Sequence, residues 1–286
     1  MLLRRPLAGA LLALAAGTLA GAQQVTWVPE RPEEGSLVVL RVAVPAGAVR
    51  GIAAGEPLHF YLADSGSSWA LAPIPLGTVD SLLVGIVVSG AGRADEIVTV
   101  SIPVTPRIAD TDFLRTPQSF LAPPDSALQA RIAAERVRMH AVEIVAHLTA
   151  RVWRGPFIRP LGGRVTTPFG EWRGWDDSVA GRHEGVDLAG ARGTAVRAAN
   201  RGVIALVANQ YYGGVTVLID HGAGLVTSYQ HLSAATVAEG DTVATGDVIG
   251  RVGATGRATG PHLDWAAWYG RVSVDPFALL TLQLLP

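Results

Sequence analysis

Two histidine and aspartate pairs in the C-terminal half of the chain have the residue types and the spacing for metal or proton chemistry. His262 and Asp264 lie two positions apart in TGPHLDWAAW, a stretch with the character of a β-strand. Residues two apart on a strand point to the same face, so the imidazole and the carboxylate are predicted to share one space. Both groups can bind a metal ion or transfer a proton.

The second pair, His183 and Asp187, occurs in RHEGVDLAG. If this segment is extended, both residues share a face with Gly185, and the glycine leaves the space above the strand empty. An imidazole and a carboxylate on either side of an empty position can hold one cation. The pattern H-x-x-x-D is weak alone, and it gains weight because YQHLS supplies His231 in another strand-like segment.

Length, charge and composition limit the alternatives. A chain of 286 residues has room for roughly two domains of ordinary size. Its formal net charge of -1 gives no indication of a nucleic-acid or anionic-membrane partner. There is no cysteine, which excludes disulfides and a lipid-attachment cysteine and leaves His, Asp and Glu as the metal ligands.

Residues 1–22 are predicted to be a secretory signal peptide. Arg4 and Arg5 form a short positive region, an apolar run follows, and Ala20 and Ala22 are small residues suited to cleavage after Ala22. The apolar run is too short and too poorly flanked to favour a membrane anchor. We therefore expect an exported protein, in the periplasm or otherwise secreted, with no membrane span after cleavage.

The chain is predicted to be mainly β. Residues 23–106 contain short alternating apolar runs separated by turns, which predicts an N-terminal β-sandwich domain. Residues 107–155 are predicted to be a helical connector with Asp125 as the N-cap of its helix. Residues 156–286 are rich in glycine and strand-like, and they contain four of the seven histidines. This second β domain is where chemistry is expected.

The connector helix is expected to pack between the two β domains through an apolar stripe. The stripe comprises Leu128, Ile132, Val137, Ile144 and Val145.

The histidines outside the two pairs and the YQHLS segment are interpreted as structural or solvated. His59 is the only histidine of the first domain. His140 and His147 lie seven apart on the predicted helix with Glu143 between them. A metal site on this helix is the alternative to a solvated face. His221 lies in a turn-like segment between two apolar strands.

The ordered motifs between residues 156 and 278 resemble the lysostaphin-type family of zinc metallopeptidases, which cut peptide cross-bridges in bacterial cell walls. The matching pieces are, in order, PLGGRVTTPFGEWR, HEGVDLAG, GTAVRAANRGVI, GGVTVLIDHGAGLVTSYQHLS, VAEGDTVATGDVIGRVGATGRATGPHLDW and VDP. The resemblance implies the lysostaphin-type peptidase fold for residues 156–286, one zinc ion per chain and a peptidoglycan peptide as substrate.

The resemblance also implies roles for individual residues. In the family, the residues of H-x-x-x-D bind zinc, which implies His183 and Asp187 as ligands. The last motif is normally H-x-H, whose second histidine is the third ligand and whose first acts in catalysis with the histidine of Y-x-H-L. By position, His262 and His231 are the predicted catalytic residues. Asp264 stands where the third ligand histidine is expected.

Asp264 is predicted to bind the metal in place of that histidine. Zinc accepts a carboxylate oxygen at about 2.0–2.2 Å, close to its distance to an imidazole nitrogen. Because aspartate is shorter, its strand must approach the metal more closely, or a water must bridge. Two carboxylates cancel the charge of a divalent ion, which lowers the acidity of a bound water and favours manganese or another oxygen-preferring metal more than H-x-H does.

Two further groups of residues are candidates for substrate contact. Tyr211 and Tyr212, with Gly213 and Gly214, are candidates for the wall of a substrate groove, with an ordinary turn as the alternative. A polar loop before the first ligand is interpreted as solvated surface, with substrate contact as the alternative. It contains Trp172, Trp175, Asp176 and Asp177.

The sequence offers three alternative functions. A replaced third ligand is also compatible with a module that has lost hydrolysis and instead binds and activates a cell-wall amidase, although such a module has no chemical reason to keep the other His and Asp positions. AEGDTVATGDVIG resembles the domains that carry biotin or lipoyl groups, but these need a lysine and the chain has none. A purely structural β domain leaves the ordered motifs unexplained. The sequence therefore predicts a metal-dependent endopeptidase.

Overall fold

The computed structural model describes residues 25–44, 49–63, 66–89, 94–114, 120, 123–175 and 178–284. The predicted signal peptide and the pair Asp176 and Asp177 lie outside these described residues. The prediction of a mainly β protein is confirmed. None of the helices in the described ranges is long and apolar enough to cross a membrane.

The N-terminal part contains two antiparallel sheets of four strands each. Its strands are β1 (Val25–Val28), β2 (Leu37–Val42), β3 (Val49–Ala53), β4 (Glu56–Leu58), β5 (Tyr61–Leu62), β6 (Ser68–Pro73), β7 (Ser81–Val88) and β8 (Glu96–Pro103). The strand order is β1-β2-β6-β5 in one sheet and β4-β3-β7-β8 in the other. Alternate residues of β7 are buried, and side chains of both sheets join one apolar core, as in a sandwich.

This core offers a direct test of the packing. Leu40 on β2 is 0% exposed, whereas Leu83 on β7 is 64% exposed. Leu40→Ala removes buried methyl groups and leaves a cavity, so we expect a loss of about 2–5 kcal/mol in the free energy of unfolding. Leu83→Ala is the matched control and is expected to change it by less than about 0.5 kcal/mol. Denaturant unfolding measures both, and equal effects would contradict this packing.

The connector is helical only in part. Strand β9 (Thr111–Leu114) precedes helix α1 (Ser126–Val145). Asp125 caps α1, since its side chain accepts a hydrogen bond from the backbone N–H of Leu128 at 2.8 Å. The helix lies on the C-terminal sheet.

The predicted apolar stripe of α1 is wrong over its second half. Val137, Ile144 and Val145 are exposed. The residues that pack instead are Met139, Val142 and Ala146, which join a cluster with Leu206, Leu218 and Val226. The reason is that α1 covers one outer surface of the C-terminal sheet instead of filling a space between two β layers, so only a narrow face is buried.

The C-terminal part is built on a ten-stranded sheet. Its strands are β10 (Val165–Thr167), β13 (Gly185–Ala189), β14 (Ala195–Arg197), β15 (Gly202–Gln210), β16 (Gly214–Gly222), β17 (Leu225–Ala235), β18 (Thr242–Val243), β19 (Val248–Val252), β20 (His262–Tyr269) and β21 (Val272–Val274). The main path runs β10-β13-β20-β17-β16-β15-β18. A 3₁₀ helix, Pro276–Leu284, follows. Strands β13, β20 and β17 are consecutive neighbours on this path.

A small sheet lies beside this large one. Strand β11 (Trp172–Trp175) pairs with β12 (Ser178–Arg182) on one side and with β9 of the connector on the other. The predicted polar loop is therefore wrong at Trp172 and Trp175, which lie on β11. The reason is non-local, because the strand is held by hydrogen bonds to the connector segment that precedes α1.

A buried ion pair fixes the chain just before His183. Glu34 Oε1 accepts hydrogen bonds from Arg182 Nη1 at 2.7 Å and from the backbone N–H of Arg107 at 3.1 Å. Burial alone raises the pKa of Glu34, but the hydrogen bonds from Arg182 and the backbone outweigh burial and lower it. One carboxylate therefore links the N-terminal part, the connector and the segment that leads to the candidate site.

Candidate active site

Strand pairing brings the predicted site residues together. In the antiparallel ladder between β13 and β20, Asp187 lies directly opposite Asp264. On the other side of β20, Asp264 lies opposite Gln230 of β17, the residue before His231. His183 comes two residues before the start of β13. The sheet register therefore collects residues that are far apart in sequence on one patch of its surface.

His183, Asp187 and Asp264 form a buried cluster. His183 Nε2 lies 3.4 Å from Asp187 Oδ1 and 3.4 Å from Asp264 Oδ2. One potential ligand atom from each of the three lies within 4.8 Å of the others. Within the described residues, this is the one group of His, Cys, Asp and Glu that meets this spacing. All three residues predicted to bind metal are thus placed together.

The donor set fits a divalent cation. Asp187 Oδ1 and Asp264 Oδ1 are buried and have no hydrogen-bond partner. Burying a carboxylate oxygen without a hydrogen bond or a cation is costly, and such atoms are rare in folded proteins. Two carboxylates and an imidazole are ligands that zinc and manganese accept. A bound divalent ion would give the unpaired oxygens their missing partner.

Gly185 explains how the shorter aspartate reaches the cluster. A Cβ atom at position 185 would collide with Asp264 Oδ1. The space that the sequence analysis predicted to be empty above this glycine is therefore filled by the carboxylate of Asp264. Because β20 pairs directly with β13, the short side chain is already adjacent to His183.

We expect Gly185→Ala to weaken zinc binding by about tenfold or more, because the new methyl group displaces the Asp264 carboxylate. Competition with a chromophoric chelator measures the affinity. Gly85→Ala is the matched control, since Gly85 also lies in a strand and a Cβ there makes only an ordinary contact with Ile52. If the two variants bind zinc equally well, Asp264 does not need the space above Gly185.

His231 and His262 lie beside this cluster, with their ring centroids 4.7 Å apart. His231 Nδ1 lies 2.8 Å from the backbone carbonyl of Thr255, and His262 Nδ1 lies 2.8 Å from that of Gly260. A carbonyl only accepts hydrogen bonds, so both rings carry a proton on Nδ1 and, when neutral, leave Nε2 as a base. His262 Nε2 lies 3.7 Å from Asp187 Oδ1.

His231 is held in an uncommon backbone conformation. Its φ of 59° lies in the left-handed region, which is rare for a residue that is not glycine. Its ring is buried, and burial lowers the pKa of the His231 imidazole even though the Asp264 carboxylate opposes this. The ring is therefore neutral near pH 7, which is the state that can accept a proton.

Opposite charges dominate the protonation of the cluster. Burial alone would lower the pKa of His183, but the carboxylates of Asp264 and Asp187 outweigh it and raise that pKa to about 9. Burial likewise opposes ionisation of Asp187, yet His183 and Arg173 hold its pKa well below the usual range. In the metal-free protein, a proton on His183 thus partly balances the two carboxylates.

We expect metal binding to strengthen with pH. A metal ion displaces the His183 proton, because only a neutral imidazole can act as a ligand. With a folded pKa of about 9, the proton competes below that pH, so zinc affinity should rise by about tenfold per pH unit between pH 6 and 8 and level off above 9. Chelator competition across this range measures the slope. An affinity that does not change with pH would contradict His183 as a ligand.

Arg173 is a site residue that the sequence analysis did not identify. Its Nη2 donates a hydrogen bond to Asp187 Oδ2 at 2.7 Å. Arg173 lies in the quoted segment PLGGRVTTPFGEWR, but nothing in the local pattern connects it with Asp187, 14 residues further on. The connection comes from β11, which was predicted to be a loop.

A polar cleft of about 270 Å³ opens over these side chains. Its lining includes Arg173, Asp187, His231, Arg257 and His262, together with Asp112 from β9. The remaining lining residues are small or uncharged: Thr166, Thr167, Ala258, Thr259, Gly260 and Pro261. The cleft therefore offers charged, basic and small side chains next to the cluster.

A second cavity of about 340 Å³ lies between α1 and the sheet. Tyr212 and Gly213, two of the residues predicted as groove wall, line this cavity. Tyr211 and Tyr212 also contact Phe120, with ring centroids 4.8 Å and 6.3 Å from that of Phe120. The predicted wall is thus partly covered by the protein's own connector segment.

The other histidines make structural contacts. His221 is fully buried, with Nδ1 2.7 Å from the Arg201 carbonyl and Nε2 2.8 Å from Thr227 Oγ1. Burial lowers the pKa of His221 to about 4. His140 Nδ1 lies 2.8 Å from Glu143 Oε2 on α1.

His147 follows the end of α1 and does not share a metal site with His140. Its Nδ1 lies 2.9 Å from His59 Nε2, and its Nε2 lies 3.1 Å from Glu56 Oε2. These contacts link the N-terminal sheet to the segment after α1.

The C-terminal part of the chain is similar in sequence to known proteins. Residues 181–276 match the family model described as Peptidase family M23. The DD-carboxypeptidase/endopeptidase Mpg of Neisseria meningitidis serogroup B is 40% identical over 124 residues, which cover 41% of this chain and 27% of that protein. The Peptidoglycan DD-endopeptidase ShyA of Vibrio cholerae serotype O1 is 43% identical over 83 residues, which cover 29% of this chain and 19% of that protein.

The chain therefore spans about a quarter or less of the length of these curated relatives. A solved structure of a peptidase M23 from Pseudomonas aeruginosa matches a larger part of this chain. That similarity covers 87% of this chain and 94% of that chain, with a TM-score of 0.66 and 25% sequence identity. The structural similarity thus extends well beyond residues 181–276.

Proposed function

We propose that this chain, whose residues 181–276 match the model of Peptidase family M23, is an exported, zinc-dependent endopeptidase that hydrolyses peptide cross-bridges or stem peptides of bacterial peptidoglycan. The observation that carries this proposal is the buried cluster of His183, Asp187 and Asp264, whose two unpaired carboxylate oxygens lie beside two histidines with available Nε2 atoms.

His183, Asp187 and Asp264 would hold the ion. When bound, it supplies a Lewis acid that polarises the scissile carbonyl and makes a water more acidic. The ligand set of one imidazole and two carboxylates also suits manganese or another oxygen-preferring divalent metal. We propose one ion per chain.

His231 and His262 are the proposed catalytic residues. Their Nδ1–H groups are fixed on the backbone carbonyls of Thr255 and Gly260, which orients each Nε2. A neutral imidazole in this position accepts the proton of the attacking water and later returns it to the leaving amine. The lowered pKa of His231 supports this role, because the ring is a free base near pH 7.

The relatives favour peptidoglycan peptide as the substrate. Two of them carry the names DD-carboxypeptidase/endopeptidase and Peptidoglycan DD-endopeptidase. Half of the residues that line the cleft over the candidate site are small or uncharged, which suits a peptide substrate. The complete set of candidate ligands and bases gives no support to the amidase-activating alternative. Export is proposed from residues 1–22 alone, and the periplasm is the proposed location.

The proposal is tested by digesting purified cross-linked peptidoglycan with the full chain after zinc or manganese is supplied. Mass spectrometry of the released fragments identifies the broken bond. We expect loss of cross-linked dimers and one new free amine per cut, with His183→Ala inactive. If the wild-type protein with bound metal leaves cross-links and stem peptides intact, the proposed activity is wrong.

A further inference from the structure

The candidate site contains the positively charged side chain of Arg173, which is not one of the proposed metal ligands but is bonded to one of them, Asp187. Two carboxylates and a neutral imidazole cancel the charge of a divalent ion, so the ion would polarise a carbonyl less strongly. We propose that Arg173 offsets the second carboxylate, which Asp264 introduces, so that the centre with its ion keeps one net positive charge. This inference rests on the proposed function.

The geometry places the guanidinium on the outer side of the cluster. Asp187 divides its two oxygens between different neighbours. Oδ2 accepts the hydrogen bond from Arg173 Nη2 at 2.7 Å, whereas Oδ1 faces His183 Nε2 at 3.4 Å and has no hydrogen-bond partner. Asp187 can therefore bind an ion through Oδ1 while Arg173 remains bonded to Oδ2. The charge of Arg173 acts through the carboxylate without occupying a ligand position.

Burial makes this charge effective. The side chain of Arg173 is 19% exposed and that of Asp187 is 8% exposed. Charges that are largely removed from water are poorly screened by salt and interact more strongly than those at the surface. One positive charge next to a ligand carboxylate lowers the electron density that this ligand gives to the ion.

The backbone fixes Arg173 in this position. It lies on β11 between β9 and β12, opposite Gly181 and Asp112 in the two ladders. The pairing between β11 and β12 extends as far as the first proposed ligand, because the His183 backbone N–H donates a hydrogen bond to the Glu171 carbonyl at 2.8 Å. Arg173 and His183 are thus held by one antiparallel pair of segments, which keeps the guanidinium beside Asp187.

A charge-offsetting role and a purely orienting role predict opposite changes in metal affinity. If Arg173 offsets charge, its removal leaves the centre more negative and the ion binds more tightly. If Arg173 only orients Asp187, its removal lets the carboxylate turn away and the ion binds more weakly. The sign of the change therefore separates the two roles.

The test compares Arg173→Gln and Arg173→Lys with the wild-type full chain, using zinc alone and a competing chromophoric chelator. Arg173→Gln keeps a hydrogen-bond donor but loses the charge, so zinc should bind at least about tenfold more tightly and kcat on peptidoglycan should fall by about tenfold. Arg173→Lys keeps the charge and should stay within about threefold of the wild type. Arg173→Met is a second neutral variant in case the Gln variant folds poorly.

Arg257→Gln is the matched control. Arg257 lines the same cleft, and its substitution also removes a guanidinium, but the hydrogen bond to Asp187 comes from Arg173. We expect a smaller change in zinc affinity than for Arg173→Gln. Weaker zinc binding in both the Gln and the Lys variants of Arg173 would overturn the inference and leave the proposed function standing. A wild-type protein that binds neither zinc nor manganese would overturn both.

Discussion

Asp264→Ala should reduce zinc affinity more than about 100-fold, because even residues that only support a ligand typically contribute 10–100-fold and Asp264 is proposed as a direct ligand. The substitution removes one of the two unpaired carboxylate oxygens and leaves only His183 and Asp187 in the cluster. Chelator competition with zinc and with manganese measures the loss, and peptidoglycan hydrolysis should disappear with it.

Two variants make this result specific. His183→Ala should lose metal to a similar degree, since it removes the only imidazole of the cluster. His140→Ala is the matched histidine control, because its side chain is half exposed on α1 and pairs with Glu143. An Asp264→Ala protein that binds zinc as tightly as the wild type would show that Asp264 is not a ligand.

His231→Ala and His262→Ala should separate metal binding from hydrolysis. Loss of a positioned acid or base typically lowers the rate by about 10²–10⁴-fold, so we expect kcat to fall within this range while each variant keeps its metal. The reason is that both rings use Nδ1 for a backbone carbonyl and leave Nε2 beside the cluster. The measurement combines peptidoglycan digestion with elemental analysis of the same samples.

The metal content of the two variants shows whether each histidine acts as a base or as a metal ligand. If His262→Ala or His231→Ala loses metal in proportion to activity, the substituted residue is a ligand instead of a base. The distinction matters most for His262, because its Nε2 lies 3.7 Å from Oδ1 of the proposed ligand Asp187. A variant that keeps both metal and full activity would remove that residue from the proposed mechanism.

The local part of the site was predictable from the sequence. The spacing of His262 and Asp264 indicated a shared strand face, and β20 begins at His262. Gly185 was predicted to leave space between His183 and Asp187. The first inference was possible because side chains alternate between the two faces of an extended segment. His183 lies two residues before β13, so the strand argument covers only Gly185 and Asp187 of the second pair.

The non-local part was not predictable in the same way. The pairing of Asp187 with Asp264 depends on β13 and β20 being neighbours in register, which no pattern within either segment specifies. The sequence therefore leaves open whether a closer strand or a bridging water compensates for the shorter aspartate. Direct pairing of the two strands, with Asp264 above Gly185, is the arrangement that the structure contains.

The predictions for the segment that carries Arg173 and for the buried face of α1 were wrong for related reasons. The strand that carries Arg173 is defined by pairing with the connector, so the segment has no strong signal of its own. The apolar residues of α1 suggested a broad buried stripe, but the helix covers the sheet from outside and leaves Val137, Ile144 and Val145 exposed. In both cases the surroundings of the segment, and not its own pattern, decide the outcome.

Elemental analysis of the purified full chain tests the central claim most directly. After zinc or manganese is supplied and excess metal is removed, we expect about one ion per chain in the wild type and almost none in His183→Ala and Asp264→Ala. A wild-type protein that retains no metal under these conditions would contradict the assignment of His183, Asp187 and Asp264 as a metal centre, and with it the proposed hydrolase.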